Sequence, residues 1–224
     1  MRICIIIPAY NEEEFLGITL NSLLAQDARI DQIVVVDDGS KDRTPEICAD
    51  YASRYENVSY VINQKKEKRA SGSKVVRAFN LGLSSIKISD YDLIAKIDSD
   101  MGFEKDYFSK LKAAFQSNPQ LGLYGGICLI KKDNDWVEEV VSNKDHVRGG
   151  LKSFRVEAFE QMNGLREIMG WDSIDEFLLR FYKWEVVCDQ ALKVKHYRVT
   201  HSINGWYKES KPVSYTHLTL PTIA

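Results

Sequence analysis

The chain has almost no net charge: 30 Lys and Arg against 32 Asp and Glu leave −2 over 224 residues. Nothing global attracts a polyanion, so nucleic acid is not an expected partner. The one basic cluster, Lys65-Lys66-Glu67-Lys68-Arg69, reads as a solvated loop. Cysteine is also scarce. Cys4, Cys48, Cys128 and Cys188 lie far apart with no CxxC pair, which excludes a metal finger and a small disulfide scaffold. Reduced thiols and a cytoplasmic location are the expectation. No stretch reaches the ~20 apolar residues of a membrane-spanning helix. The apolar run at residues 3–7 is too short for the core of a signal peptide. Glycine is missing where two enzyme classes need it. Pro8-Ala9-Tyr10-Asn11-Glu12, after the first apolar run, contains none. The G-x-G-x-x-G of a dinucleotide dehydrogenase and the glycine-rich phosphate loop of a sugar-1-phosphate nucleotidyltransferase are both absent.

What is present is an alternation. Short apolar, β-rich runs at 2–7, 32–36, 57–62, 92–97 and 121–130 read as strands. Between them, 12–24, 44–55, 73–85 and 104–116 carry helical periodicity. Pro8 is expected to break the first strand. Asn11 is a candidate N-cap with Glu14 three residues on, and Pro45 suits the first turn of its helix. The pattern predicts an α/β fold: a mainly parallel, Rossmann-like sheet flanked by helices.

In open α/β sheets, ligands bind beyond the carboxyl ends of the strands. Three polar clusters follow three strands here: Tyr10-Asn11-Glu12, Asp37-Asp38, and Asp98-Ser99-Asp100. Parallel strands would bring them to one edge. Each alone also suits a turn or a helix cap. Asp98 and Asp100, two residues apart at a strand end, can converge on a hard divalent cation, Mg2+ or Mn2+.

The string Ile5-Ile6-Ile7-Pro8-Ala9-Tyr10-Asn11-Glu12-Glu13 resembles the opening of family 2 glycosyltransferases, an apolar strand followed by P-x-Y-N-E. Val34-Val35-Val36-Asp37-Asp38-Gly39-Ser40-Lys41-Asp42-Arg43-Thr44 is similar to the family's V-D-D-G-S-x-D-x-T, and Asp98-Ser99-Asp100 falls where its DxD belongs. The resemblance is dense to about residue 100 and thins toward residue 201. It implies the GT-A fold and inverting transfer of a sugar from a UDP- or GDP-type donor to a glycan or lipid-linked acceptor, assisted by Mn2+ or Mg2+. It further implies that Pro8, Tyr10 and Glu12 line the nucleotide pocket and that Asp38 lies near the base or ribose. Asp37 lies beside it or orders the loop. Asp98 approaches the ribose or diphosphate, and Asp98 and Asp100 serve the metal. Many members carry A-R-N-x-G before the DxD strand. Here Ala78-Phe79-Asn80-Leu81-Gly82 has Phe79 in place of the arginine, leaving Lys74 or Arg77 to supply the cation.

An inverting enzyme needs a base on the acceptor. The resemblance places it at a helix start in the second half, where Trp171-Asp172-Ser173-Ile174-Asp175-Glu176 stands. Asp172 and Asp175 share a helix face at i,i+3. Ser173 and Glu176 form a capping-box pattern, which gives Glu176 a structural role. Asp175 is the preferred base and Asp172 the second choice. Trp171 suits a sugar platform or a buried aromatic. His196 and His201 fall in a basic, β-rich stretch and read as surface or structural groups, with His196 a further candidate metal ligand because some GT-A enzymes use a late histidine. The paired glycines of Asp145-His146-Val147-Arg148-Gly149-Gly150-Leu151 suggest an acceptor-side loop.

The length suits one domain at 1–212, with a nucleotide-sugar half at 1–100 and an acceptor half at 101–212. A non-catalytic nucleotide-sugar-binding module would lack the DxD or the base. Residues 213–224 hold no Lys, Arg, Asp or Glu, lack periodicity and resemble translated sequencing-adapter read-through. They are expected to be foreign to the fold, the natural protein being longer. Peripheral attachment at the inner face of a membrane is compatible with all of this.

Overall fold

A computed structural model describes residues 1–63, 74–140 and 143–198. The basic cluster at 65–69, His201 and the tail at 213–224 lie outside those residues.

The chain runs β1 (Ile3–Ala9), α1 (Leu16–Leu24), β2 (Gln32–Asp37), α2 (Thr44–Arg54), β3 (Val58–Ile62), α3 (Lys74–Ser84) and β4 (Leu93–Ile97). It continues β5 (Met101–Phe103), α4 (Tyr107–Ser117), β6 (Leu121–Lys132), β7 (Asp135–Glu138), β8 (Leu151–Arg155), α5 (Val156–Gln161), α6 (Trp171–Phe181) and β9 (Glu185–His196). One sheet has the order β3-β2-β1-β4-β8-β6-β9-β5, with β7 paired to β6. The first four strands in that order are parallel. Beyond β4 the sheet is mixed: β8 is antiparallel to both β4 and β6, while β6 and β9 run parallel. The expected parallel layer is therefore β3-β2-β1-β4, and beyond it β8, β5 and β7 run against the common direction while β6 and β9 keep it.

Period-two alternation builds two cores from the same strands. Ile3, Ile5 and Ile7 of β1 join Ile33, Val35, Leu93, Ala95 and Ile97 under α1, α2 and α4. Cys4 and Ile6 join Val34, Val36 and Ile94 under α3, α5 and α6. Fully burying each Ile, Val or Leu among them contributes roughly 1.5–3 kcal/mol. Gly82 lets α3 lie flat on the sheet: a Cβ there would stand 2.7 Å from both Ile6 and Val36.

Three local expectations change. Pro8 does not end β1. Pairing to β4 stops at Ile6, while pairing to β2 continues through Pro8 to Ala9, so the proline lies where the strand is bonded on one side only. Asn11 does not cap α1. It takes a left-handed φ of 54°, and the helix begins at Leu16 after a turn over residues 13–15. Likewise α4 begins at Tyr107, after a turn closed by the Tyr107 N–H on the Glu104 carbonyl. Among the described residues, no helix is long and apolar enough to cross a membrane.

Candidate active site

Parallel pairing brings the ends of β1, β2 and β4 to one edge, and the loops there are stitched together. The Asn11 N–H donates to Ser40 Oγ (2.9 Å), and the Lys41 N–H donates to Asn11 Oδ1 (2.8 Å). The Glu12 N–H donates to Thr44 Oγ1 (2.7 Å). Asp37 is buried, and its Oδ1 accepts the Ser40 N–H at 2.9 Å. That is the loop-ordering alternative for Asp37. Asp38 Oδ1 accepts from Asn63 Nδ2 at 2.6 Å. Tyr10 stands 40% exposed at the edge, with Lys74 Nζ 5.8 Å from its ring centroid. Phe79 is fully buried against Phe159, and Arg77 pairs with Glu167 at 3.1 Å. Of the two cations considered for this edge, Lys74 is thus the one beside Tyr10.

The Glu12 carboxylate meets Arg198 in a two-pronged ion pair at 2.7 and 2.9 Å. Burial pushes the Glu12 carboxyl up, Arg198 opposes this, and the balance stands at about 7.

The two aspartates of the DxD diverge in partners. Thr19 of α1 fixes the segment: its Oγ1 donates to the Ser99 carbonyl (2.7 Å) and accepts the Met101 N–H (3.0 Å). Asp98 forms an ion pair with Lys96, which is 2% exposed and lies inside β4. Burial raises the Asp98 carboxyl, but Lys96 outweighs it and holds the group below the usual range. Asp100 Oδ2 faces His196 Nε2 at 3.4 Å, and His196 Nδ1 lies 2.9 Å from Glu139 Oε2. Arg148 in turn holds Glu139. His196 is buried rather than on the surface, because the pairing of β5 with β9 sets it opposite Met101. Burial disfavours its charge, but the carboxylates of Asp100 and Glu139 prevail and lift its pKa to about 9. Cys128 also approaches Glu139 and His196. Burial pushes that thiol to about 12, so it is a poor thiolate ligand beside a carboxylate already paired with arginine. With the imidazole neutral, the donor set that suits a hard cation is Asp100 with His196, one nitrogen of which is oriented by a second carboxylate.

The two aspartates of α6 have different surroundings. Asp175 is 3% exposed. Its Oδ1 accepts from Lys152 Nζ (2.7 Å) and from the Glu176 N–H (2.6 Å), while Oδ2 is buried with no hydrogen-bond partner. Burial lifts it to about 6 despite Lys152. Asp172 has a side chain 37% exposed and lies 3.7 Å from His146 Nε2. Burial raises its carboxyl, but His146 and Lys152 outweigh that and hold it below the usual range. The capping box does not form: Gly170, left-handed at φ 75°, caps α6 with no side-chain bond. Glu176 instead accepts the Val147 N–H at 2.8 Å and pairs with His146 and Arg180. Trp171 is buried, with Lys96 Nζ 5.4 Å and Lys152 Nζ 5.8 Å from its ring. Gly150 admits the loop against the donor side: a Cβ there would meet Asp98 Oδ2 at 2.5 Å.

Sequence reasoning missed Lys96, Glu139, His146, Lys152 and Arg198. Lys96 carried a signal, since it is a lysine inside an otherwise apolar strand, whereas Lys152 sits beside a serine in a strand that ends in arginine and carried none. A buried lysine needs a carboxylate. Glu139 and Arg198 carried none, because their partners lie 57 and 186 residues away.

The glycosyl transferase family 2 model matches residues 4–152. An N-acetylglucosaminyltransferase of Azorhizobium caulinodans is 30% identical over 144 residues, which is 62% of this chain and 34% of that protein. A poly-beta-1,6-N-acetyl-D-glucosamine synthase of Staphylococcus epidermidis is 29% identical over 126 residues, 55% of this chain and 28% of its own length. The chain thus spans about a third of the length of these curated relatives. Among solved structures, the Pyrobaculum calidifontis mannosyltransferase PcManGT in complex with GDP-Man and Mn2+ is similar with TM-score 0.70 at 17% identity, over 90% of this chain and 58% of that one. S. aureus TarS 1-349 in complex with UDP-GlcNAc gives 0.68 at 17%, over 88% and 59%. At such identities the likeness shows the fold, which is GT-A. The family match takes in well over half of the chain, including all three polar clusters at the sheet edge, and the chain belongs to glycosyl transferase family 2.

Proposed function

We propose that this chain carries the catalytic site of a nucleotide-sugar-dependent, inverting glycosyltransferase whose base is Asp172 and whose metal ligands are Asp100 and His196. The observation that carries the reading is the pair Asp100 Oδ2 and His196 Nε2, 3.4 Å apart at the end of the DxD segment, with Glu139 behind the imidazole. A carboxylate and an imidazole together suit Mn2+ or Mg2+, and the nitrogen donor favours Mn2+. When bound, such a cation supplies Lewis-acid neutralisation of the departing diphosphate.

The chain's own residues do the rest. Tyr10, Glu12 and Asp38 border the nucleotide at the edge of the parallel strands, beside Pro8, with Asp37 keeping the loop in shape. Asp98, tied to Lys96, lies between that edge and Gly150. Lys74 offers a cation beside Tyr10. Asp172 takes the proton of an acceptor hydroxyl as that oxygen attacks the anomeric carbon. The bond from that carbon to the diphosphate oxygen breaks, and the nucleoside diphosphate leaves with the electron pair. A single displacement inverts the configuration and needs no enzyme nucleophile. Asp175, walled off and tied to Lys152, supports α6 rather than touching substrate. The TarS and PcManGT complexes, with UDP-GlcNAc and GDP-Man, favour a UDP- or GDP-type donor. The synthase relative favours a glycan acceptor, with a lipid-linked glycan the other option.

The test is calorimetry of UDP, GDP and their sugars with and without Mn2+. Asp100→Ala is expected to abolish the Mn2+-dependent part of nucleotide binding while the melting temperature holds. Unchanged Mn2+-dependent affinity in that variant removes Asp100 from the metal site.

A further inference from the structure

The segment at residues 143–150, between β7 and β8, has no role in the reaction as derived so far. It nevertheless touches the first turn of α6 at every level. Its backbone lies directly on the helix: a Cβ at Gly149 would stand 3.0 Å from the Trp171 ring and 3.4 Å from Asp172 Cβ. Two adjacent residues pin it to one carboxylate oxygen. Glu176 Oε1 accepts the Val147 N–H at 2.8 Å and meets His146 Nδ1 at 2.9 Å. The other ring nitrogen, Nε2, points at Asp172 Oδ2 across 3.7 Å. From the opposite side, Lys152 Nζ donates to the Asp172 main-chain carbonyl at 2.5 Å. The base is thus held at two points, its backbone by a buried lysine and its carboxylate by an imidazole.

We propose that His146 is a positioning residue for the transfer reaction, aiming the Asp172 carboxylate at the acceptor hydroxyl while Glu176 fixes the imidazole. The proposal rests on Asp172 being the base. An aspartate in the first turn of a helix has free side-chain torsions, and α6 begins at a glycine that offers no side-chain cap. At 3.7 Å, Nε2 attracts Oδ2 as an ion pair rather than a hydrogen bond, which favours the carboxylate orientation that leaves Oδ1 for the incoming hydroxyl. The charged groups facing His146 are Asp172 and Glu176 from α6 and Lys152 from β8; Asp145 and Arg148 flank it on its own segment. The two α6 carboxylates outweigh burial and Lys152, lifting the His146 pKa to about 9, so both ring nitrogens carry protons at neutral pH. A doubly protonated ring is the form that donates to Glu176 and presents a charged N–H to Asp172 at ion-pair distance.

The experiment follows nucleoside diphosphate release from UDP- and GDP-sugars, with water as the acceptor, using the full chain. His146→Ala is expected to lower kcat about ten- to a hundredfold, the scale of a misaimed group. The donor KM is expected to stay within about twofold, because His146 does not touch the donor edge. His146→Gln keeps a donor for Glu176, so it is expected to remain folded at the assay temperature, with a lowered melting temperature, and still lose rate. Placed on Asp172→Asn, either substitution is expected to cost no further rate, since His146 acts only through that carboxylate. Wild-type kcat in both His146 variants overturns the proposal. So does an equal loss from His146→Gln with and without Asp172→Asn. Normal turnover by Asp172→Asn removes the base assignment and this proposal with it. A dead Asp172→Asn beside normal His146 variants leaves the base standing and removes His146 alone.

Discussion

The two halves of the sheet hold their charges differently. In the half built on β1 to β4, polar residues cluster at the open ends of parallel strands, and neutral hydrogen bonds join their loops: the Ser40 N–H to Asp37, the Asn11 N–H to Ser40, the Lys41 N–H to Asn11 and the Glu12 N–H to Thr44, while the Glu12 and Asp98 carboxylates pair with Arg198 and Lys96. In the half built on β8, β6 and β9, several charges are buried and paired with one another. Lys152 is fully buried against Asp175 and Glu176, and Glu139 is buried between Arg148 and His196. The first arrangement leaves acceptor atoms at an edge where a polar ligand can arrive. The second fixes the angle of a helix and a histidine. Loops joined by exposed hydrogen bonds are expected to tolerate local losses. A core of buried ion pairs is not, because removing one partner strands the other in low dielectric.

Asp172 is where that contrast meets the chemistry, and it carries the largest expected effect. Asp172→Asn is expected to lower kcat about 10^2- to 10^4-fold, the range for loss of a general base, with Mn2+-dependent nucleotide binding intact. Asp175→Asn is expected to retain much more activity and to melt at a lower temperature, since it removes the partner of a buried lysine. Steady-state kinetics and melting curves on the pair decide it. A dead, stable Asp175→Asn beside an active Asp172→Asn exchanges the roles.

Next in size is Lys152→Met, which leaves Asp175 and Glu176 without their shared cation. It is expected to cost about 3–5 kcal/mol in denaturant unfolding, the scale for breaking a buried pair. Lys152→Met combined with Asp175→Leu is expected to recover part of that loss. If Lys152→Met unfolds at the wild-type midpoint, the buried pair contributes nothing and the contrast between the halves fails.

How much was legible in the sequence follows the same line. The strands and helices of the donor half were readable because each apolar run is bounded by its own turn residues. Pro8, Tyr10, Glu12, Asp37, Asp38, Asp98 and Asp100 sit in contiguous motifs at strand ends, so their meeting at one sheet edge was readable from local order. The misreadings there were local too: Pro8 sits where pairing is one-sided, and Asn11 spends its side chain on the neighbouring loop instead of a helix. In the acceptor half, Glu139 meets His196 across 57 positions and Lys152 meets Asp175 across 23. No spacing rule joins them, because the antiparallel return of β8 and the parallel seating of β9 make the contacts. Helix periodicity put Asp172 and Asp175 on one face but was blind to which of them the sheet covers.

A smaller effect concerns pH. His146 has its pKa raised from 6.5 to about 9 in the folded protein. Its contribution to stability is therefore complete below pH 6.5 and lost as pH rises through 9. His146→Gln is expected to be less stable than wild type by about 2 kcal/mol at pH 6, within the range for charge-assisted hydrogen bonds. The gap is expected to close toward pH 10. Melting curves of both proteins across that range test it, and a gap that stays constant with pH shows that the imidazole charge is not what binds the loop to α6.

The smallest expected effect lies in the donor half, at Asn11. Its side chain accepts the Lys41 N–H, its own N–H meets Ser40, and its φ is 54°, a region that asparagine tolerates better than other residues with a side chain. The site is exposed, so water can replace a lost partner. Asn11→Ala removes one hydrogen bond and imposes a left-handed alanine, and about 1 kcal/mol of destabilisation is expected. Asn11→Gly removes the same hydrogen bond but relieves the backbone, so a smaller loss is expected. Equal losses in the two variants assign the cost to the bond with Lys41, and a larger loss in alanine assigns it to the backbone. A loss of about 3 kcal/mol in either, the size associated with a buried pair, breaks the contrast by showing that the donor loops are as interdependent as the acceptor core.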